Sequence, residues 1–188
     1  MEKIYEYFKE NFDISHSDWS IFSSKLIKQE FLKKEKILKV GETEKYLSFI
    51  EDGIVRLYIP KEENDLTFGF VFKGSFVSAY DSFLTQTASK YAIEPVTHAV
   101  LWRLSYNDLQ TVYKRSGIGN LIGRKASEEL FLIKSQRELS LLNESAESRY
   151  LNLFSDRPEL IRQIPLKYIA SYIGVTPQAL SRIRRRIS

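Results

Sequence analysis

The chain has 188 residues, 43% hydrophobic and 13% aromatic, which suits one large folded domain or two small ones and is too apolar for a disordered chain. It has no cysteine, which excludes a disulfide scaffold, a cysteine nucleophile, a thiolate zinc site and an iron–sulfur cluster. Net charge is only +4, but residues 160–188 hold six basic residues and no acid, while the other 159 residues hold 22 basic and 24 acidic and net to −2.

The N-terminal stretch MEKIYEYFKENFDIS carries acids and no apolar core, so it is not read as a signal peptide. No stretch approaches the ~18 uninterrupted apolar residues of a membrane span. A cytoplasmic protein with no membrane contact is expected. Short helices are predicted over residues 1–30. Phe8 and Phe12 fall at helical spacing, and Ser17 and Asp18 before Trp19 suggest a second helix start.

From Glu30 to about Leu104 the pattern becomes strand-like. YLSFI, GIVRLYIP, DLTFGFVF and HAVLWRL are rich in β-branched and aromatic residues and separated by Gly, Asp and Asn. In GIVRLYI, Val55, Leu57 and Ile59 fall on one face, with Arg56 and Tyr58 on the other. Phe68, Phe70 and Phe72 share a face of the next strand. Antiparallel β-structure, in a barrel or roll, is predicted.

After Tyr106 the period is helical. Residues 124–157 contain neither Gly nor Pro, and Ile118, Leu121, Ile122, Leu132, Leu139 and Leu142 form an apolar stripe. A helix over 118–143 would be about 39 Å long. That exceeds what a small β-domain needs for its own cover, so a second copy of the chain is expected to use the excess. One helix lying lengthwise on its own roll is the alternative. NESAES at 143–148 is a polar break, read as a hinge into another helix that ends before Pro158.

The last segment, LKYIASYIGVTPQALSRIRRR at 166–186, fits a helix-turn-helix. Its first helix would turn Ile169, Ala170 and Ile173 inward. Gly174 would supply left-handed geometry after it, and Val175 would plug the gap between the helices. Thr176 would cap the second helix, Pro177 would begin it, and Leu180 and Ile183 would pack back. Opposite that apolar side lie Gln178, Arg182 and Arg185, with Ser181 at the edge. These side chains can read base edges, while Thr176, Arg184 and Arg186 suit phosphates. Double-stranded DNA is the expected partner. A soluble helical packing element, its late arginines complementing the helix dipole, is the bland alternative.

With these motifs placed, the chain resembles the Crp/Fnr superfamily from about residue 25 to the end. The resemblance rests on EDGIVRLY with Gly53 and Arg56, on FKGSF with Gly74, on a last strand running into LSYNDL, and on the long helix and helix-turn-helix that follow. It implies an α+β fold: an antiparallel, cupin-like roll of cyclic nucleotide-binding type, a dimerisation helix, and a small all-α helix-turn-helix without a full wing. It also implies a sensor domain with dimerisation helix over 1–143 and a DNA-binding domain over 144–188. The expected function is a homodimeric transcriptional regulator that also meets RNA polymerase.

A ligand pocket, where used, would involve Gly74, Ser75, Phe76, Ser89, Lys90 and Tyr91. Cyclic nucleotide-binding relatives have Gly-Glu and, about ten residues later, Arg-Ser. Here Ser75 follows Gly74, and the later pair falls at Ser89 and Lys90. Burying a cyclic phosphate without a forked donor costs several kcal/mol, and lysine does not reproduce arginine's fork. Cyclic AMP in its usual mode is therefore not expected; the roll is read as taking another small-molecule effector or none, with no certain cofactor. A cyclic-nucleotide-binding module acting through protein contacts, without DNA, is the competing regulatory reading. An enzyme is not expected. A cupin metal site needs clustered histidines, whereas His16 and His98 stand in separate segments. There is no phosphate-cradling Gly loop and no Gly-x-Ser-x-Gly elbow.

Overall fold

The structure, a computed structural model, describes residues 1–187. It begins with helices α1 (Glu2–Phe12) and α2 (His16–Ser23). Strands β1 (Ile27–Phe31), β2 (Tyr46–Asp52), β3 (Ile54–Ile59), β4 (Leu66–Phe72) and β5 (Phe76–Val77) follow. After the short α3 (Tyr80–Thr85) come β6 (Ala92–Pro95), β7 (Ala99–Ser105), α4 (Tyr106–Arg115) and the 25-residue α5 (Gly119–Asn143). The chain ends in α6 (Ala146–Asp156), α7 (Pro158–Gln163), α8 (Leu166–Tyr172) and α9 (Pro177–Ile187). This is the α+β roll, long helix and helical end expected from the sequence. Among the described residues, no helix is long and apolar enough to cross a membrane.

The chain divides into two compact units. The first comprises 1–57 and 70–126, the second Tyr58–Gly69 and the residues from Ser127 onward. Strands β3 and β4 begin in one unit and end in the other, and so does α5.

In the first unit, one sheet has the order β1-β7-β2-β5, with antiparallel pairs running from Ile27↔Arg103 to Phe31↔Ala99 and from Tyr46↔Ser105 to Asp52↔Val100. The other sheet has the order β4-β3-β6. Period-two geometry gives the first sheet two different faces. Phe49 and Leu104 join Ile4, Phe8 and Ile14, Phe22, and Leu109 and Val112 of α4 in one core. Phe8 meets Phe22 edge-on at 4.6 Å between ring centroids. The opposite face looks into the roll and carries Ser48, Leu101 and Arg103. Gly53 closes the turn between β2 and β3 with φ +98°, where a Cβ would come within 2.3 Å of the His98 carbonyl oxygen.

The structure refines three local readings. The alternation in β3 does not separate core from solvent, because Ile54 through Tyr58 are all buried and Arg56 lies inside with a partner. Helix α2 starts earlier than Ser17–Asp18 suggested: Ser15 is its cap, accepting from the Asp18 amide at 3.0 Å. Pro158 does follow the end of α6, but it also opens α7, because proline's missing N–H costs nothing at a first helical position.

The second unit has its own core of Tyr150, Leu153, Leu160, Ile164, Ile169, Ala170, Ile173, Leu180 and Ile183. The polar break falls where expected. Helix α5 ends at Asn143, and the Ser145 hydroxyl caps α6 by accepting from the Ser148 amide at 3.1 Å. Several apolar residues of α5 are open, Phe131 being 70% exposed, Leu132 66% and Leu142 74%, whereas Ile122 packs against the core of the first unit.

Candidate nucleic-acid interface and effector site

The two helices α8 and α9 are built by short-range packing. Ile169, Ala170 and Ile173 are buried on the first, and Leu180 and Ile183 on the second. Gly174 has φ +80° and its amide bonds to the Ser171 carbonyl at 3.1 Å, while the Val175 amide reaches Ala170 at 2.9 Å. The Thr176 hydroxyl accepts from the Ala179 amide at 3.2 Å, capping α9.

With that side of α9 committed to the core, Gln178, Ser181, Arg182, Arg184, Arg185 and Arg186 are all exposed, as is Thr176. No acid occurs on α9. Arg182, Arg185 and Arg186 border a shallow groove of about 510 Å³ with Ala146, Val175 and Ala179. Arg186 also meets the Glu147 carboxylate at 2.8 Å, a solvent-facing pair of the kind that contributes ~1 kcal/mol or less.

The first helix is clasped by groups that the sequence did not single out. The Ser171 hydroxyl accepts from the Thr67 amide at 2.7 Å and donates to the Asp65 carbonyl, so one side chain holds the start of β4 at the tip of the β3–β4 hairpin. The Arg137 guanidinium donates to the Tyr172 carbonyl at 2.6 Å and stacks 3.8 Å from its ring. Arg149 donates to the Ile173 carbonyl at 2.9 Å. These arginines serve carbonyls that the end of α8 leaves without helical partners.

The six residues expected around a ligand fall into two groups with different partners. The Gly74 amide donates to the Ile50 carbonyl at 2.8 Å and the Ser75 carbonyl accepts from the Ile50 amide at 3.0 Å. Phe76 is turned into the helix-side aromatic cluster, 5.3 Å from Phe49. Ser89 is buried, and its hydroxyl donates to the Tyr91 carbonyl at 2.8 Å. Lys90 is exposed. The Tyr91 hydroxyl donates to Asp81 at 2.5 Å, and burial together with that carboxylate pushes it above the ordinary tyrosine range. The segment between the groups contains α3, whose six residues were not foreseen as a helix.

Charges inside the roll went unread as well. Glu94 receives Arg56 through Nε and Nη2, both at 2.7 Å, and also Lys36. Burial raises its carboxyl, but those two cations outweigh that and hold it below the usual range. Glu44 is buried 3.8 Å from Arg103; burial raises its carboxyl against the pull of the Tyr46 amide, Arg103 and the Ala79 amide.

Residues 28–116 match the cyclic nucleotide-binding domain family. No curated protein is significantly similar to the sequence. Among solved structures, the chain is similar to the c-di-GMP-responsive global regulator CLP of Xanthomonas campestris, with TM-score 0.74 and 16% identity over 92% of this chain and 91% of that one. It is similar to a Crp/Fnr-family transcriptional regulator from Eubacterium rectale, with TM-score 0.74 and 17% identity over 96% and 87%. FixK2 from Bradyrhizobium japonicum gives TM-score 0.72 and 15% identity over 86% and 84%. At such identities the likeness is one of fold.

Proposed function

We propose that this chain, which carries a cyclic nucleotide-binding domain at residues 28–116 within the Crp/Fnr fold, is a homodimeric, sequence-specific DNA-binding transcriptional regulator of the cytoplasm. The observation that carries this reading is α9: one side is locked into a closed core, while the rest of the helix presents four arginines, a glutamine and a serine to solvent with no acid among them. A helix of that kind fits a major groove. In this reading Gln178, Ser181, Arg182 and Arg185 meet base edges, and Thr176, Arg184 and Arg186 meet phosphates.

The open apolar residues of α5 supply the dimer contact, since exposed side chains such as Phe131, Leu132, Leu139 and Leu142 gain most from a second copy. The division into a sensing part, 1–143, and a DNA-binding part from 144 follows the α5–α6 break; its last residue, Ser188, lies outside the described residues. The roll would sense a small-molecule effector.

Selection of bound duplexes from a random pool, followed by mobility-shift titration at low salt, tests the reading. The wild-type chain should hold a preferred duplex over a random one. Arg182→Ala and Arg185→Ala should each cost about 1–3 kcal/mol on that duplex and less on random sequence. A chain that binds no duplex at low salt, or whose binding ignores both substitutions, is a sensor module acting through proteins instead.

A further inference from the structure

Glu44 is 2% exposed, and every group described against its side-chain oxygens is a donor. Oε1 accepts from the Tyr46 amide at 3.0 Å and lies 3.8 Å from Arg103 Nη2; Oε2 accepts from the Ala79 amide at 3.4 Å. The Glu44 amide donates to the Ser82 hydroxyl at 3.0 Å, and that hydroxyl donates to the Thr87 carbonyl at 2.5 Å. Glu44 is thus gripped by residues 79–87, between the two groups expected around a ligand.

Arg103 points the same way from β7. Its other partners are neutral: Gln29 at 2.6 Å, Ser48 at 3.3 Å, and the Tyr46 ring 4.0 Å from the guanidinium carbon. Removing the anion beside a buried guanidinium strands its charge, and donors arranged to receive an anion are expensive to leave unmatched. Here the chain supplies the anion from its own sequence.

We propose that Glu44 is a specificity-determining residue, a resident carboxylate that takes the buried donors an anionic effector would need and so closes this roll to phosphate-bearing ligands. This deepens the effector half of the reading above and rests on the roll alone. An effector that does act here carries no anionic group at Arg103.

The full-length wild type and Glu44→Gln are titrated calorimetrically with cyclic AMP, cyclic di-GMP and inorganic phosphate, at low ionic strength and mildly alkaline pH. The amide is nearly isosteric but uncharged. Wild type should take up none of the three saturably, whereas Glu44→Gln should bind at least one about tenfold more tightly or better, the worth of one charge-assisted hydrogen bond. Adding Arg103→Gln should abolish the gain. The proposal is overturned when wild type and Glu44→Gln bind these anions equally, including not at all, or when the gain survives loss of Arg103. Should Glu44→Gln not fold, amide resonances of Tyr46 and Ala79 in the wild type decide. They should stay still as phosphate and cyclic AMP are added, and movement with either anion sinks the idea. A wild type that binds no DNA would leave these titrations readable, so the two failures are distinct.

Discussion

The roll and the last helix use arginine in opposite ways. Arg56 and Arg103 are buried and matched, one to Glu94 and the other to Glu44. Arg182 and Arg185 are exposed on a helix that carries no acid. A buried, paired charge is a structural commitment, because losing either member strands the other in a poorly solvating interior. An unmatched surface charge costs the fold little and remains available to a polyanion. The contrast shows that arginine count alone says nothing about partners; what matters is whether the fold has already used the charge.

The strongest way to break the contrast is inside the roll. Glu94→Gln leaves Arg56 without its carboxylate and should lower stability by about 3–5 kcal/mol, read from chemical denaturation. The pH dependence has a definite sign. Because the folded carboxyl of Glu94 is held below its ordinary value, its contribution is fully present above the ordinary carboxylate range and is lost as pH falls through the folded value. Glu94→Gln should therefore flatten the acid limb of stability against pH. An unchanged limb would mean that the pair is not coupled to folding.

A smaller effect is expected at the clasp. Ser171→Ala leaves the buried Thr67 amide without that acceptor and should cost about 1–3 kcal/mol, with faster hydrogen exchange at Thr67. Exchange at Thr67 that stays as slow as in the wild type would show the bond to be incidental. The smallest effect belongs to the exposed cap of α9: Thr176→Ala should cost about 1 kcal/mol in stability. A loss as large as that of Glu94→Gln would erase the distinction between the two regions.

The helix-turn-helix was legible because its information is local. Ile169, Ala170, Ile173, Gly174, Thr176, Leu180 and Ile183 sit at fixed offsets within fifteen residues, and each has the size or backbone freedom its place requires. The roll was legible as a pattern of strands, and α5 as an unbroken period. The pairs inside the roll were not, because Arg56 and Glu94 are 38 positions apart and strand alternation does not reveal which charges will meet. The same holds for Ser171, whose partners lie more than one hundred positions upstream. Helix α3 was hidden in VSAYDSFLTQTA, too short to show a period and lacking a side-chain cap bond. A serine in place of glutamate after Gly74 pointed to a changed pocket, but nothing there pointed to Glu44, thirty residues earlier in the chain.

The hairpin that crosses between units has a practical bearing on how the molecule can be cut. Residues 58–69 lie within the stretch read as sensor, yet they count structurally with the helical end, whose Ser171 they engage. A recombinant piece starting at residue 144 would be deprived of a loaned strand tip, and of Arg137 at the end of α8 as well. Weak folding of such a truncation would then reflect the missing loan, not a defect in α9 itself.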